Sequence, residues 1–168
     1  VKSPYVDVET IVLAFSILKS LGLNDIKVCL NTLGDDESRA NYRSALKEYF
    51  APYVDELCGD CKRRYEQNPL RILDCKVDHD HECMKNAPKM SDYLNETSQE
   101  YFNTVCELLD KLDIPYEVDD KLVRGLDYYT HTVFEIVSMN SEMGAQSTVL
   151  AGGRYDGLIS YFGGPEGM

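Results

Sequence analysis

The chain has 168 residues, 43% hydrophobic and 27% charged, a globular composition with enough apolar material for one ordinary domain or two small ones. Its net charge of −12 argues against bulk electrostatic capture of nucleic acid, because phosphate affinity is carried by cations, so any RNA contact must be local. No apolar run approaches the roughly 20 residues that span a bilayer and no basic-apolar-small signal opens the chain, so a soluble, cytoplasmic protein is the expectation.

Val8, Ile11, Val12, Phe15, Leu18 and Leu21 recur at three- and four-residue steps and predict a helix over 7–21, with Asp7 capping its start and Gly22 its end. Ile26 to Asn31 alternates with period two, as a strand does. Asp36 is placed to cap a helix from about Glu37 to Phe50, with Tyr42, Ala45, Leu46, Tyr49 and Phe50 inward and Pro52 ending it. A further helical stretch from Tyr53 breaks at Gly59 and resumes over Cys61 to Gln67, where Asn68-Pro69 stops it.

Residues 70–90 hold no sustained period and are expected to form turns with one short helix. The stripe Leu94, Tyr101, Phe102, Val105, Leu108, Leu109 and Leu112 predicts a long helix over 91–112. Ile114 to Val118 reads as a short edge strand, since Pro115 cannot donate to a ladder. Thr132–Val137 and Thr148–Ala151 predict two antiparallel strands across a polar connection, with a helix or turn over Tyr155 to Phe162 beside them. The class is α+β, with an α/β start at 1–34, a mainly helical middle at 35–113 and a β-rich end at 114–168.

Six cysteines stand at positions 29, 58, 61, 75, 83 and 106. Cys58-x-x-Cys61 followed by Cys75 and Cys83, with His79 and His81 between the last two, has zinc-ligand chemistry. A structural site usually presents two tight pairs, whereas this second half is spread out. Reduced thiols are therefore expected and no residue is assigned as a metal ligand, with zinc left open. Cys29 on a strand and Cys106 on a helix read as small core residues. The least acidic stretch, Cys61-Lys62-Arg63-Arg64-Tyr65 through Arg71 and Lys76, reads as a solvated helix face or a local RNA contact.

Two clusters near the end carry chemistry. Arg124-Gly125-Leu126-Asp127-Tyr128-Tyr129 precedes the Thr132-Val133-Phe134-Glu135 strand and places a permanent planar cation and two phenols beside one sheet edge. Ala151-Gly152-Gly153-Arg154-Tyr155-Asp156-Gly157-Leu158 follows one hairpin later, with small residues that let backbone lie against a ligand, take a positive φ or form a bulge. Taken alone, Arg124 next to Gly125 favours a structural ion pair with Asp127 or Glu135 over a catalytic role, and any single tyrosine favours core packing. Arg154 and Asp156 are expected to pair with each other or with neighbours, and His131 to lie on the surface.

Together these clusters resemble the two histidine-specific signatures of the histidyl-tRNA synthetase family of bacteria. The resemblance extends to Leu33-Gly34-Asp35, to Asn68-Pro69-Leu70-Arg71-Ile72-Leu73-Asp74 and to Asp92-Tyr93-Leu94. It implies part of a class II synthetase catalytic core, an antiparallel sheet with a helical insertion domain. It further implies Arg124 as catalytic cation and histidine bound by Arg124, Tyr128, Tyr129, Tyr155, Gly152 and Gly153. A tyrosine hydroxyl can donate to or accept from a neutral imidazole, and Tyr129 is favoured for that bond with Tyr128 as wall or support.

The resemblance also implies ATP with Mg2+, tRNA(His) and a homodimer for the whole enzyme. Neither a phosphate loop nor a dinucleotide fingerprint occurs in the sequence, and the class motifs that hold ATP and build the dimer are not found in it. With Val1 in place of an initiator Met, the expectation is an internal piece of a longer ligase, inactive by itself. The alternatives are a non-catalytic paralogue that senses histidine, such as a regulatory subunit of ATP phosphoribosyltransferase, and a zinc-stabilised RNA-binding module. Arg124 and the helical middle weigh against the first of these.

Overall fold

The structure, a computed structural model, describes residues 2–123, 128–140 and 147–165. Helix α1 (Pro4–Ser20) starts earlier than its apolar stripe suggests: the Ser3 side chain accepts from Tyr5 N and Pro4 occupies the first turn, where a missing N–H costs nothing. Asp7, expected as the cap, instead lies within the helix and is buried.

Among the described residues four strands, β1 (Ile26–Thr32), β2 (Tyr116–Val118), β3 (Thr130–Ser138) and β4 (Thr148–Arg154), form one sheet in the order β2-β1-β3-β4. Strand β3 runs antiparallel to both β1 and β4, as the sequence predicts for the hairpin. The edge strand β2 pairs parallel to β1, with Val28 N donating to the Pro115 carbonyl at 2.9 Å. Proline at the start of an edge strand loses no ladder bond.

Each face of the sheet has its own core. Val28, Leu30, Phe134 and Ile136 pack against Ile11 and Phe15 of α1 and against Val105 and Leu109 of helix α4 (Glu96–Lys111). On the other side Tyr42, Leu46 and Phe50 of α2 (Asp36–Phe50) join Cys61 of α3 (Gly59–Gln67), Ile72, Met90, Tyr129 and Val133. Thus α4, within the helical middle by sequence, shares its core with α1 and the sheet.

The stretch expected to be helical from Tyr53 is a 3-10 turn, Ala51–Glu56, followed by an extended Leu57. Further 3-10 turns at Pro69–Ile72, Glu82–Met84 and Met90–Tyr93 fill the segment without period. The long helix predicted from Ser91 begins only at Glu96, because Leu94 and Asn95 are extended and the Asn95 side chain caps α4 by accepting from Ser98 N at 2.9 Å. A short helix α5 (Leu158–Tyr161) follows the hairpin.

The two ends of the middle segment are clasped together. Asp35 caps α2 by accepting from Ser38 N at 2.9 Å and accepts from Asn95 Nδ2 at 2.8 Å, while Asn95 N donates to Ser38 Oγ and Asp35 N to Ser98 Oγ. Burial pushes the Asp35 carboxyl up, but the bonds from Ser38 and Asn95 outweigh it and hold its pKa at about 2. Gly34, with φ +61°, leaves the strand directly into this clasp, where a Cβ would stand 2.7 Å from Ser38 Cβ.

Replacing Asn95 by Ala should lower the urea unfolding free energy by about 1 kcal/mol, the worth of one helix cap. Gly34→Ala should cost about 2 kcal/mol or more, since it adds left-handed strain to a clash.

Candidate active site

The loop that precedes the first signature is anchored to the sheet. Asp119 N donates to the Leu30 carbonyl at 2.9 Å, Leu122 N to the Asp119 carbonyl at 3.0 Å, and the buried Asn31 side chain to the Leu122 carbonyl at 3.1 Å. Arg124, with Gly125, Leu126 and Asp127, lies outside the described residues.

From Tyr128 onward the tyrosines singled out by the sequence converge. The rings of Tyr128 and Tyr129 are 5.5 Å apart, and each lies 5.8 Å from Tyr155 in an edge-to-face contact. Strict strand alternation would have separated Tyr128 from Tyr129; both precede the first residue of β3, so the alternation does not apply. Tyr129 is buried, Tyr128 half-buried and Tyr155 exposed at 40%, giving a phenolic wall that is closed at its base and open at its rim.

The glycines act here through side-chain packing. Neither Gly152 nor Gly153 has a positive φ. A Cβ on Gly152 would stand 3.0 Å from the Phe134 ring, and one on Gly153 would stand 2.8 Å from both the Tyr129 ring and the Thr132 carbonyl. Gly153 is what lets the Tyr129 ring pack against β4. Arg39 of α2 grips the same tyrosine from the helical middle, donating to the Tyr129 carbonyl while paired with Asp36. The sequence offers no sign of that contact, which joins residues 90 positions apart.

Beneath the wall, Arg154 is buried and held on three sides. Its Nε donates to Asp7 Oδ1 at 3.0 Å, its Nη1 to Asp156 Oδ1 at 2.7 Å and its Nη2 to the Ser3 carbonyl at 3.2 Å. Burial works against its charge, but the bonds to Asp7 and Asp156 more than offset this and raise its pKa. The Asp7 carboxylate also accepts from Tyr101 at 2.9 Å and from Thr132 at 2.6 Å. The pairing expected of Arg154 and Asp156 is present, with Asp7 as the partner the sequence did not suggest. A cavity of about 190 Å³ lies over this node, lined by Val6, Asp7, Thr10, Thr132, Phe134, Gly153, Arg154 and Tyr155.

His131 is not on the surface. It is 3% exposed and stacked on Tyr101, with ring centroids 4.5 Å apart, and its Nδ1 has no hydrogen-bond partner among the described residues. The cause is backbone geometry: φ is +48° where the β3–β4 register shifts, and the backbone instead bonds both Gly34 and Leu33. Burial pushes the imidazole pKa down, the Lys2 charge adds to this, and the ring stays neutral.

A model of the Histidyl-tRNA synthetase family matches residues 1–167, nearly the whole chain. The chain belongs to the histidyl-tRNA synthetase family. It is 54% identical over 165 residues to the histidine–tRNA ligase of Bacillus velezensis, covering 98% of this chain and 39% of that protein. The crystal structure of apo Staphylococcus aureus histidyl-tRNA synthetase superposes with a TM-score of 0.78 at 39% identity, over 99% of this chain and 40% of the other. An ATP phosphoribosyltransferase regulatory subunit/histidyl-tRNA synthetase from Bacillus halodurans shares the fold, with a TM-score of 0.57 at 21% identity over 98% of this chain and 46% of the other. The chain therefore spans about two fifths of the length of the synthetase relatives it matches, and its sheet with helices on both faces is that of a class II synthetase core.

Gly153→Ala should displace Tyr129, seen as a changed near-ultraviolet tyrosine signal, and destabilise the chain by about 2 kcal/mol through overpacking. The buried neutral His131 gives a pH test. As pH falls through about 6.5 the unfolded chain takes up a proton that the fold resists, so stability drops. His131→Asn, which tolerates the positive φ, should flatten the fall in unfolding free energy between about pH 7.5 and 5.5.

Proposed function

We propose that this chain is the histidine-recognising part of a histidine–tRNA ligase. The observation that carries the reading is the convergence of Tyr128, Tyr129 and Tyr155 beside Gly153, with Tyr128 four residues after Arg124 in the sequence. Joining a carboxylate to the α-phosphate of ATP brings two anions together, so the barrier is electrostatic. A guanidinium binds both through its planar fork and keeps its charge at any working pH. Arg124 takes that role, holding the histidine carboxylate beside the α-phosphate and stabilising charge as it develops in the in-line transition state.

The phenols supply recognition. Tyr129, set in place by the bare backbone of Gly153 against its ring and by Arg39 at its carbonyl, bonds the imidazole, while Tyr128 and Tyr155 wall it in. No general base is required, because the attacking carboxylate is already ionised. Arg154 is held by Asp7 and Asp156 and supports the site as scaffold. Family membership supports ATP with Mg2+ as co-substrate, transfer of histidine to tRNA(His), and a cytoplasmic homodimer for the whole enzyme.

The test is a chimaera in which this chain replaces the matching stretch of the Bacillus velezensis ligase. Arg124→Ala should lower histidine-dependent pyrophosphate exchange by about 10²–10³-fold, the usual cost of losing one preorganised transition-state contact. Tyr129→Phe should act mainly on the KM for histidine. An Arg124→Ala enzyme that exchanges pyrophosphate at the parent rate would overturn the assignment, and a parent chimaera that binds histidine without any exchange would favour a histidine sensor.

A further inference from the structure

Away from the tyrosine wall, one group of side chains at the edge of the second core has ligand chemistry that histidine recognition does not use. Cys58, Cys61, Cys75 and Asp78 each aim one ligand atom into a common space, with all four atoms within 4.8 Å of one another. Cys58 Sγ lies 3.8 Å from Cys75 Sγ, and Cys75 Sγ lies 3.6 Å from Asp78 Oδ2. Zinc–thiolate bonds of about 2.3 Å in a tetrahedron set neighbouring ligand atoms about 3.8 Å apart, the separation already found between Cys58 and Cys75 and nearly that between Cys75 and Asp78, and the remaining pairs lie within 4.8 Å. Thiolates around an iron–sulfur cluster bind separate irons and stand further apart than this.

The second tight pair that cysteine and histidine spacing lacks is present once Asp78 is counted. Cys58-x-x-Cys61 straddles the start of α3, and Cys75-x-x-Asp78 forms a second tight pair in the turn after the Pro69–Ile72 helix. Cys83 and His79 belong elsewhere, Cys83 facing His81 Nδ1 at 3.0 Å and His79 bonding the Lys76 carbonyl. Outer contacts that orient ligands are in place: Asp78 N points at Cys75 Sγ at 3.4 Å, and Cys58 N donates to the Asp78 carboxylate at 3.1 Å. Cys61 and Cys75 are buried, while Cys58 and Asp78 are half-buried and leave a path for the ion.

We propose that Cys58, Cys61, Cys75 and Asp78 form a structural zinc site that ties α3 to the turn at Cys75 within the helical middle. Zinc is the ion that three thiolates and one carboxylate in a closed tetrahedron suit best. Binding exchanges one Zn2+ for the thiol protons of the three cysteines, leaving a site of net charge −2 bordered in sequence by Lys62, Arg63, Arg64 and Lys76. With every position of the tetrahedron taken by protein, the ion acts on folding and performs no catalysis. It braces a segment built largely from short 3-10 turns, which carry little hydrogen bonding of their own.

The test uses the untagged chain, purified under reducing conditions, loaded with Zn2+ and dialysed against metal-free buffer. Elemental analysis should find about one zinc per chain, falling at least tenfold in Cys58→Ser and Cys75→Ser and unchanged in Cys83→Ser and Cys106→Ser. Co2+ added to the metal-free wild-type chain should give thiolate-to-cobalt charge-transfer absorption together with the intense visible bands of a tetrahedral ion. That spectrum reads the site even if a variant fails to fold. Zinc-free protein with six titratable thiols and no cobalt spectrum would overturn the proposal, as would a Cys58–Cys75 disulfide formed in place of metal under the same reducing conditions.

Discussion

The buried pair of Asp7 and Arg154 is the constraint around which the sheet side of the molecule is organised. A guanidinium at 4% exposure is tolerable only if its donors are met, and here they are met by α1, by Asp156 after β4 and by the Ser3 carbonyl. The Asp7 carboxylate also accepts hydrogen bonds from Tyr101 on α4 and Thr132 on β3, so one group fixes two helices and two strands relative to each other. An ion pair of this kind adds little net stability against an apolar substitute, but leaving either partner alone in the interior costs several kcal/mol. Its effect is to admit one arrangement of the elements around it.

That arrangement decides where the phenols stand. Arg154 ends β4 one residue after Gly153, the residue whose bare backbone makes room for Tyr129, and one before Tyr155, which closes the aromatic triad. From the opposite face Arg39 reaches the Tyr129 carbonyl from a helix whose start is clasped by Asp35, Ser38, Asn95 and Ser98. The position of Tyr129 thus depends on both cores at once, and a shift of the helical middle would be felt at the tyrosine wall. The phenols stand just outside the strand ends, Tyr128 and Tyr129 before β3 and Tyr155 after β4, and are fixed there by contacts with the strands and with Arg39.

Much of this was legible in the chain itself. The helix over 37–50, the edge strand with Pro115 and the β3–β4 hairpin follow from apolar periodicity and from the punctuation of proline and glycine, which are local properties of the backbone. Where expectation failed, a local alternative of similar energy won: Asn95 capped α4 and shortened a helix that the apolar stripe alone would have begun at Ser91, and Ser3 with Pro4 displaced Asp7 as the start of α1.

The sequence by itself determined which faces are apolar, which residues can cap or break an element and, through the signature clusters, which tyrosines gather at the site. Apart from the Arg154–Asp156 pair, only the tertiary structure decided what the polar groups do. It gave Asp7 a partner 147 positions away, turned His131 inward through a positive φ, and made Asp78 rather than Cys83 the companion of Cys75. The reason is physical: hydrophobic burial acts on faces that repeat along the chain, whereas a charge or a lone pair is satisfied by whichever partner the completed packing brings within about 3 Å.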